Sequence, residues 1–458
     1  MKIDSKLTPS DLTKPLNRMF ALAAKKVRDI DRTWDSSRGT PVFTVEGKYT
    51  SRGWTEWTQG FQYGSAILAF DATGEKDLLT LGRERTIKHM PPHITHMGVH
   101  DHGFNNLSTF GNLRRLMREG KIAHNDWENE YYELALKASG AVQAARWQGI
   151  RTDDPSRQLG YVYSFNGPHS LFVDTMRTTR ILGVAWQLGH RLMHENDRAA
   201  DLLKRSVLHG LATDQFIVFH GKSSHTYDVR GRTAHEAIFN RNDGCFRCRS
   251  SQQGYSPFST WTRGLAWAML GFAEELEFFA TIPEAKFKQS VGIAKKDVMK
   301  TFEQAAIQTS EHYIEDCSAA DGIVYWDDGA PGLSKMGDWK SRPADPFNDY
   351  EPVDSSACAI AAQGLIRLGR HLHKSRYTQA GLTIARRLLS DEYLSSSSKH
   401  QGLLLHSVYH RPNGWDHVPK GRKMPCGESS MWGDYHLLEL GVLIQRLATK
   451  GHYLAFFD

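Results

Sequence analysis

The chain has 458 residues, of which 40% are hydrophobic and 24% are charged, so it has the composition of an ordinary soluble protein with room for a large core. Its formal net charge is +6, but no run of five Lys or Arg residues occurs, whereas a nucleic-acid surface is normally more concentrated. The first thirty residues contain no uninterrupted apolar run, which argues against a signal peptide and a membrane span.

Apolar residues recur at helical spacing along the whole chain and predict twelve helices. The predicted helices are Ser10–Ile30, Thr58–Phe70, Lys76–Lys88, Phe104–Arg118, Asp126–Trp147, Ser170–Leu192, Asp197–Leu211, Thr260–Phe279, Pro283–Ser310, Ser355–Leu372, Arg376–Leu389 and Ser430–Leu447. Loops rich in Gly, Pro and His separate them. Strand-like pieces such as Phe216–Phe219 are too few for a sheet, so at most minor β-hairpins or loop insertions are expected.

The predicted helices alternate in character. The even-numbered ones are rich in small and apolar residues, as in RGLAWAMLGF of the eighth, whereas the odd-numbered ones carry more charge, as in DRAADLLKRSVLH of the seventh. A helix that is apolar all round must be buried, and a half-charged helix can face water. Six buried helices inside six amphipathic ones make an (α/α)6 barrel, or six-hairpin toroid, so the sequence predicts an all-α fold with a single domain over residues 1–458.

The inner helices of such a barrel run parallel, so their N-terminal ends meet at one mouth. The stretches at these six ends are all dense in Trp, Asp, His, Arg, Ser or Gly: WTEWTQGF (Trp54–Phe61), HDHGF (His100–Phe104), FVDTM (Phe172–Met176), STWTRGLAW (Ser259–Trp267), DSSA (Asp354–Ala357) and GESSMWGDY (Gly427–Tyr435). A shared cleft explains six polar helix starts in step better than six separate N-caps do. For Asp354–Ser355 and Glu428–Ser429, capping is at least half of the interpretation.

Asp174 is the most informative of these polar residues. It heads a helical line that continues through Thr178, Ile181, Ala185 and Leu188, and this line is polar at its start and apolar beyond. A carboxylate in that position is either a helix-start group, because Asp complements the free N–H groups and the dipole, or a catalytic group. The stretch alone favours the helix-start interpretation, and the case for chemistry comes from the rest of the chain.

Five cysteines form an odd and scattered set, which fits a reducing compartment and predicts a cytoplasmic protein. Cys245 and Cys248 form a single CxxC pair without the second pair that completes a zinc site. Free thiols in a loop are therefore favoured over metal or redox chemistry, and neither a metal nor a cofactor is predicted.

The polar stretches, taken in order, resemble the signature stretches of the unsaturated glucuronyl hydrolases, glycoside hydrolase family 88. The resemblance extends from about residue 54 to 447 and is carried by WTEWTQGFQYGSAILAF, HDHGF, LFVDTM, QQGYSPFSTWTRGLAWAMLGF, DSSACAIAAQGL and SSMWGDYHLLEL. The QGYS…STWxRGxAW run is its most specific part. A related family that acts on unsaturated galacturonyl and rhamnose-linked units shares the barrel, but the RGxAW stretch fits it less well.

The resemblance implies roles for nine residues. Asp174 matches the general acid/base, Asp101 the second carboxylate, and Trp57 the aromatic residue that stacks on the sugar ring. The other positions implied in substrate binding are His100, His235, Gln253, Trp261, Arg263 and Trp267. The segment Phe219–Thr233 resembles an insertion, so His225 is a weaker counterpart than His235. The serine and lysine pattern that recognises sulfate in some members is not evident.

These residue types suit the reaction that the resemblance implies. The substrate is a terminal uronic acid with a C4=C5 double bond, so its ring oxygen belongs to a vinyl ether. Protonation of C4 creates an oxocarbenium-like centre at C5, water adds there, and the hemiketal opens and releases the next sugar. One carboxyl group can deliver the proton and then accept one from water, so the usual geometry of two carboxylates is not required. We expect an ionised Asp101 in a Trp-lined pocket to keep Asp174 protonated against the helix dipole.

Each implied site residue also has a structural alternative. Arg263 could hold the substrate carboxylate with a paired hydrogen bond, or form an ion pair with an acidic residue at the barrel rim. His100 and His235 could be ordinary loop histidines, and Trp267, a turn inside its helix, is the tryptophan most easily explained as core. A second set, Lys420, Arg422 and Lys423, is interpreted as a solvated loop in preference to a contact with an acidic +1 sugar.

The first hypothesis is therefore an unsaturated glucuronyl hydrolase whose partner is an unsaturated uronyl di- or oligosaccharide, with no nucleic acid, no membrane and no assigned oligomeric state. A sugar epimerase of the acylglucosamine type on the same barrel is an alternative. It would need paired histidines at the mouth on late inner helices, and His436 is the only candidate in the last one. A non-catalytic carbohydrate-binding barrel is the third hypothesis.

Overall fold

The structure, a computed structural model, describes residues 1–53, 56–154 and 158–458. In this part of the chain the twelve predicted barrel helices are present, with changes at their ends. Their bounds are Thr13–Thr33 (α1), Gln59–Thr73 (α2), Lys76–His89 (α3), His102–Asn106 followed by Leu107–Gly111 and Asn112–Arg118 (α4), Asp126–Ala145 (α5), Thr175–Thr178 followed by Arg180–Gln187 (α6), Leu202–Phe216 (α7), Thr262–Thr281 (α8), Lys295–His312 (α9), Ser355–His371 (α10), Ser375–Leu388 (α11) and Met431–Thr449 (α12). Trp54 and Thr55, from the predicted stretch Trp54–Phe61, lie outside the described residues.

The even-numbered helices form a closed inner ring. Each packs on the next, from α2 through α4, α6, α8, α10 and α12, and α12 packs back on α2. The odd-numbered helices pack outside this ring, for example α3 on α2 and α11 on α10. The inner helix α10 buries every residue from Ser355 to Gly369, whereas the outer helix α3 buries only Leu78, Gly82 and Thr86, which lie on one side of it. The predicted all-α (α/α)6 barrel is confirmed. Within the described ranges, no helix combines the length and the apolar character needed to cross a bilayer.

Two glycines allow the inner helices to approach closely at the mouth. A Cβ atom on Gly103 of α4 would overlap the carbonyl oxygen of Thr178 in α6, and one on Gly60 of α2 would overlap the backbone of Asn105 in α4. Interiors are close-packed, so any side chain at these positions would force the helices apart. The two glycines therefore hold three inner helices in contact near their N-terminal ends.

Small antiparallel sheets lie between the helices, in line with the predicted minor β-hairpins, although one of them is larger than a hairpin. Three of them are two-stranded, and the fourth has the strand order β5–β8–β9. The strands are Phe43–Val45 (β1), Lys48–Thr50 (β2), Trp147–Ile150 (β3), Leu159–Val162 (β4), Ser170–Phe172 (β5), Leu192–Met193 (β6), Ala199–Ala200 (β7), Glu236–Phe239 (β8) and Phe246–Ser250 (β9). The strand-like piece 216–219 is not one of them, because Phe216 ends α7 and Val218 makes only an isolated bridge with Thr233.

The sixth and ninth predicted helices differ most from expectation. Residues 170–172 pair with β8 instead of starting the helix, so α6 begins at Thr175. A short buried strand and the first turn of a buried helix have the same apolar pattern, which is why the sequence did not separate them. The ninth predicted helix is divided because Gly292 adopts a φ of +83° after the short helix Glu284–Val291.

Buried charges fill the barrel beneath the mouth. Arg177 of α6 donates hydrogen bonds to Glu274 of α8 at 2.7 and 3.1 Å and to Glu439 of α12 at 2.9 Å. The same guanidinium lies 3.3 Å from Nε2 of His436, whose ring packs 4.9 Å from the ring of Trp267. All five side chains are buried, so the interior is closed below Trp267.

Candidate active site

A cavity of about 360 Å³ opens at the N-terminal ends of the inner helices. The residues at or just before the starts of α2, α4, α6 and α8 form its wall, together with three loops, at 165–166, 252–253 and 409–415. The lining residues are Trp57, Val99, His100, Asp101, Phe104, Phe165, Asn166, Asp174, Gln252, Gln253, Trp261, Arg263, Trp267, Tyr409, His410, Asn413 and Trp415. Eight of the nine predicted site residues are in this set. The structure therefore brings together residues that are up to about 210 positions apart in the sequence, between Trp57 and Trp267.

Asp174 occupies the N-cap position of α6 but makes no side-chain capping bond there. Its Oδ1 atom instead lies 3.1 Å from Nε2 of His100, and both side chains are buried. The pairing of β5 with β8 continues through Val173, whose N–H donates to the carbonyl oxygen of His235 at 3.0 Å. A carboxylate that served only the helix would accept from the N–H of the second or third helical residue. The helix-start interpretation therefore does not account for Asp174.

His100 lies between the two predicted catalytic carboxylates. Its Nε2 atom faces Asp174 at 3.1 Å, and its Nδ1 atom is 3.9 Å from Oδ2 of Asp101. The imidazole ring is fixed by Phe165, which stacks at a centroid distance of 6.2 Å, and by Phe172, which lies edge-on at 5.7 Å. The two carboxylates and the imidazole thus form one continuous array on the wall of the cavity.

The charge distribution in this array differs from the prediction. Burial by itself would raise the pKa of Asp174, but the charge and hydrogen bond of His100 outweigh it, and the pKa is lowered. Burial raises the pKa of Asp101, and the charge of Asp174 raises it further. The expectation that an ionised Asp101 keeps Asp174 protonated is therefore wrong for this structure. The reason is that the imidazole is at hydrogen-bond distance from Asp174 and farther from Asp101.

His100 itself holds a positive charge more readily than an ordinary histidine. Burial would lower the pKa of His100, but the carboxylates of Asp101 and Asp174 outweigh it, and the pKa is raised. Asp174 is therefore the carboxyl group of the array that ionises most readily, and His100 is the neighbouring group that can carry the positive charge.

His235 lies behind the cavity wall, next to Asp174 in space. Its ring packs against Phe172 at 4.4 Å and against the face of Trp261 at 5.0 Å. The N–H of Gln252 donates to Nδ1 at 3.0 Å, so the ring proton is on Nε2. That Nε2 atom is buried and has no hydrogen-bond partner among the described residues. Burial lowers the pKa of His235 to about 3, so it is a neutral N–H donor. His225, the weaker counterpart, is exposed.

Arg263 connects two walls of the cavity. Its Nη1 atom donates to Oδ2 of Asp354 and to the carbonyl oxygen of Val408, both at 2.6 Å. Its Nη2 atom donates to Oε1 of Gln253 at 3.1 Å and to the carbonyl oxygen of Tyr409 at 2.8 Å. The structure therefore presents no free pair of N–H groups for a substrate carboxylate. It shows the alternative role, a buried ion pair at the rim, and this ion pair holds the 408–409 backbone in place.

The capping predictions were half right. The side chain of Asp354 accepts from the N–H groups of Ser356 and Ala357 and caps α10, as expected. In α12 the capping residue is Ser430, whereas the predicted Glu428 accepts from the hydroxyl of Thr44 and from the Gly47 backbone.

The three predicted tryptophans all lie in the wall of the cavity. Trp57 is half-buried and stacks on Trp432 at a centroid distance of 5.1 Å. Trp261 and Trp267 are only 3% and 2% exposed, yet both line the cavity. Trp267 also packs 4.7 Å from the ring of Phe104, so it is part of the core and the floor of the cavity at once.

Sequence reasoning missed two of the three loops that complete the wall. The unpredicted lining residues are Val99, Phe104, Phe165, Asn166, Gln252, Tyr409, His410, Asn413 and Trp415. The run YHRPNGW at 409–415 was a signal, because it is as aromatic and polar as the helix starts. The prediction considered the later basic residues of that loop instead. Among these, Lys423 pairs with Asp349 at 2.8 Å and Arg422 covers the ring of Phe347 at 5.0 Å, all on exposed loops, so the interpretation of a solvated loop fits them.

The groups that could share a metal ion lie elsewhere. Within the described residues, the one cluster of His, Cys and acidic side chains with suitably close atoms is His312, Cys317 and Asp328, outside this cavity. Cys245 and Cys248 are both unbonded, on or next to β9.

No family model matches the chain. An unsaturated glucuronyl hydrolase of Formosa agariphila is 23% identical over 399 residues, which cover 86% of this chain and 81% of that protein. An unsaturated chondroitin disaccharide hydrolase of Streptococcus pyogenes serotype M1 is 24% identical over 443 residues, which cover 94% of this chain and 91% of that protein.

Solved structures give the same picture for the fold. The crystal structure of an unsaturated glucuronyl hydrolase specific for heparin superposes with a TM-score of 0.68 at 18% identity, covering 95% of this chain and 98% of that one. Sequence and fold thus match over nearly the whole length of both proteins. The chain is therefore a homologue of the unsaturated glucuronyl hydrolases and has their (α/α)6-barrel fold.

Proposed function

We propose that the protein is a glycoside hydrolase that removes a Δ4,5-unsaturated uronic acid from the non-reducing end of lyase-generated di- or oligosaccharides. The observation that carries this proposal is the array of Asp101, His100 and Asp174 on the wall of a tryptophan-lined cavity. The names of the relatives, for unsaturated glucuronyl and unsaturated chondroitin disaccharide substrates, support the substrate class. We further propose one catalytic domain over residues 1–458 and, from the unpaired cysteines, a cytoplasmic location.

Asp174 is the proposed general acid and base. It donates a proton to C4 of the vinyl ether, and the electron pair of the double bond forms the new C–H bond, leaving positive charge at C5 and the ring oxygen. Water adds to C5 while the same carboxylate accepts its proton. The C5–O ring bond of the hemiketal then breaks to give a ketone, and the hemiacetal at C1 expels the next sugar. The net change is the addition of one water. General acid–base help of this kind contributes about 10²- to 10⁴-fold.

His100 is the proposed source of the first proton. The pKa of Asp174 is lowered, so this carboxyl group must take up a proton before it can act as an acid. Nε2 of His100 is the group placed to supply that proton, at 3.1 Å. The anionic uronate beside Asp174 favours this transfer, because a like charge raises the pKa of a carboxyl group. The amide of Gln253, which lines the cavity, is a neutral group that can hold the sugar in place, whereas His235 lies behind the wall and supports it.

The epimerase alternative receives no support from the cavity. His436, its candidate base on α12, is fully buried and does not line the cavity. Its Nδ1 atom lies 2.6 Å from the carbonyl oxygen of Trp432, and burial lowers its pKa to about 3. A histidine in that position is part of the barrel core and cannot reach a sugar in the cavity.

The test is turnover of unsaturated disaccharides. Lyase products of chondroitin, hyaluronan, heparin, ulvan, gellan and xanthan are incubated with the purified protein, and the ultraviolet absorbance of the vinyl ether is followed. We expect this absorbance to disappear with at least one product. Asp174→Asn should lower the rate by about 10²-fold or more, whereas the exposed control Asp338→Asn should not change it. Stable absorbance with every product, or an Asp174→Asn variant as fast as the parent, would exclude the proposal.

A further inference from the structure

A second group of reactive side chains lies outside the cavity, where α9 ends. His312, Cys317 and Asp328 each place one nitrogen, sulfur or oxygen atom within 4.8 Å of the other two. His312 and Cys317 are buried, and the carboxylate of Asp328 is only 5% exposed. The proposed reaction uses none of the three, so their convergence calls for a separate explanation.

An unusual backbone turn brings the first two together. Residues 313–317 form a π-helical turn, in which the N–H of Ser318 donates to the carbonyl oxygen of Tyr313 at 3.1 Å. In an α-helix with 3.6 residues per turn, side chains five positions apart point about 140° away from each other. The π-helical turn takes more residues per circuit than an α-helical turn, so it brings Cys317 toward the side of His312, where their ligand atoms lie within 4.8 Å of each other. Such turns are rare and are frequently found at functional sites.

We propose that His312, Cys317 and Asp328 bind a zinc ion. Imidazole nitrogen, thiolate sulfur and carboxylate oxygen are the ligands that zinc takes in proteins. Two nitrogen or oxygen ligands about 2.1 Å from one tetrahedral ion are roughly 3.4 Å apart. Nε2 of His312 and Oδ2 of Asp328 are 3.1 Å apart, so a small movement admits the ion. On binding, the zinc displaces the proton of the Cys317 thiol and the Nε2 proton of His312, and both protons leave to solvent.

The surrounding groups hold these ligands in the orientation that a metal site requires. Nδ1 of His312, the nitrogen that would not touch the ion, lies 3.1 Å from Oδ2 of Asp316. A metal-bound histidine almost always donates its other N–H to a carboxylate or carbonyl group in this way. The second oxygen of Asp328 accepts from the backbone N–H of Thr260 at 2.6 Å, which fixes the ligating carboxylate as well.

A simple ion pair is the competing explanation for part of this cluster. A protonated His312 between Asp316 and Asp328 would have the same nitrogen–oxygen distances, and Arg232 also contacts Asp328 at 3.3 Å. An ion pair, however, requires neither the sulfur of Cys317 nor the π-helical turn that places this sulfur beside His312. The thiol is therefore the group whose behaviour separates the two explanations.

The zinc would act on the cavity through Thr260. This residue is bound to Asp328 and directly precedes Trp261, which lines the cavity, and α8 begins at Thr262. A metal at this position would connect three segments: the end of α9, the chain reversal that follows it, and the residues just before α8. Its role would be structural and independent of the proposed reaction.

The test uses cobalt and zinc on the full chain. Cys245 and Cys248 are first replaced by serine, because this accessible pair could bind metal on its own. After treatment with a chelator, this parent protein should take up about one Zn²⁺ per chain and show a higher Tm. With Co²⁺ it should give a thiolate-to-cobalt absorption band in the near ultraviolet. Cys317→Ser should abolish the band and the Tm shift.

A variant outside the core tests zinc binding even if Cys317→Ser does not fold. Asp316 is half-exposed, so Asp316→Asn should fold normally and weaken zinc binding by about 10- to 100-fold. The exposed control Asp338→Asn should bind zinc like the parent. The proposal is overturned if the parent takes up no metal, if binding survives Cys317→Ser, or if Asp316→Asn and Asp338→Asn bind zinc equally well.

Discussion

Asp354→Asn is expected to destabilise the protein by leaving Arg263 as a buried charge without its partner. The two side chains are 2.6 Å apart and at most 4% exposed. Removing one partner of such a pair costs about 3–5 kcal/mol. Because asparagine caps helices as well as aspartate does, the cap of α10 should survive, and the loss should report the ion pair alone. The free energy of unfolding is measured by urea denaturation.

Asp201→Asn is the matched control. Asp201 caps the outer helix α7 through the N–H of Lys204 at 2.9 Å and, within the described ranges, has no buried arginine partner. Its substitution should change the free energy of unfolding by less than about 0.5 kcal/mol. Asp354→Asn should also raise the KM for an unsaturated disaccharide, because Arg263 positions Gln253 and the 408–409 backbone.

A double substitution completes the experiment. Replacing Arg263 by methionine in the Asp354→Asn background removes the lone charge, so this protein should be more stable than Asp354→Asn alone. The reasoning is refuted if Asp354→Asn is no more destabilising than Asp201→Asn, or if the effects of the Arg263 and Asp354 substitutions simply add.

Two further predictions concern the helices themselves. Burial raises the pKa of Glu275 to about 8 from 4.5, so the folded state keeps a proton that the unfolded state loses, and between these values stability should fall by about 1.4 kcal/mol per pH unit. Glu275→Gln should remove that slope from the pH dependence of the free energy of unfolding, and an unchanged slope would contradict the assignment. Gly103→Ala should destabilise the barrel by about 1–3 kcal/mol, measured by thermal denaturation, because its Cβ would overlap a carbonyl oxygen of α6. Gly149→Ala, whose Cβ would have no neighbour within 4 Å, is the control, and equal Tm values for the two variants would refute the close approach.

The barrel could be predicted from the sequence because its helices differ in how far they are buried. The apolar pattern of RGLAWAMLGF extends around the whole circumference of α8, and only a helix inside a second layer has that property. The beginning of α6 could not be predicted in the same way. Ser170–Phe172 is a strand because β8 lies beside it, and β8 is more than sixty residues later in the chain.

The site residues also fall into two groups, those at helix starts and those in loops. Residues at helix starts, such as Asp101 and Asp174, could be placed at the mouth because their positions follow from the helix pattern, whereas their roles were taken from the family resemblance. The loop residues Asn413 and Trp415 follow no period, so the helix pattern could not place them in the wall, and the composition of 409–415 was the one signal for them. The protonation of the carboxylates was predicted wrongly because it depends on whether His100 faces Asp174 or Asp101, and a choice between distances of 3.1 and 3.9 Å is not encoded in residue spacing.

The layer of Trp267, His436, Arg177 and Glu439 has a consequence for how sugars travel through this protein. This buried layer closes the inner end of the cavity, so in the described part of the chain the cavity opens at the N-terminal ends of the inner helices. A long polysaccharide cannot pass through the barrel, and the released sugar acid must leave by the opening through which its parent chain entered. Release should therefore be ordered: after the cleavage the shortened chain has to leave before the keto acid can escape. Because the shortened chain no longer carries a C4=C5 double bond, each oligosaccharide should be cleaved only once.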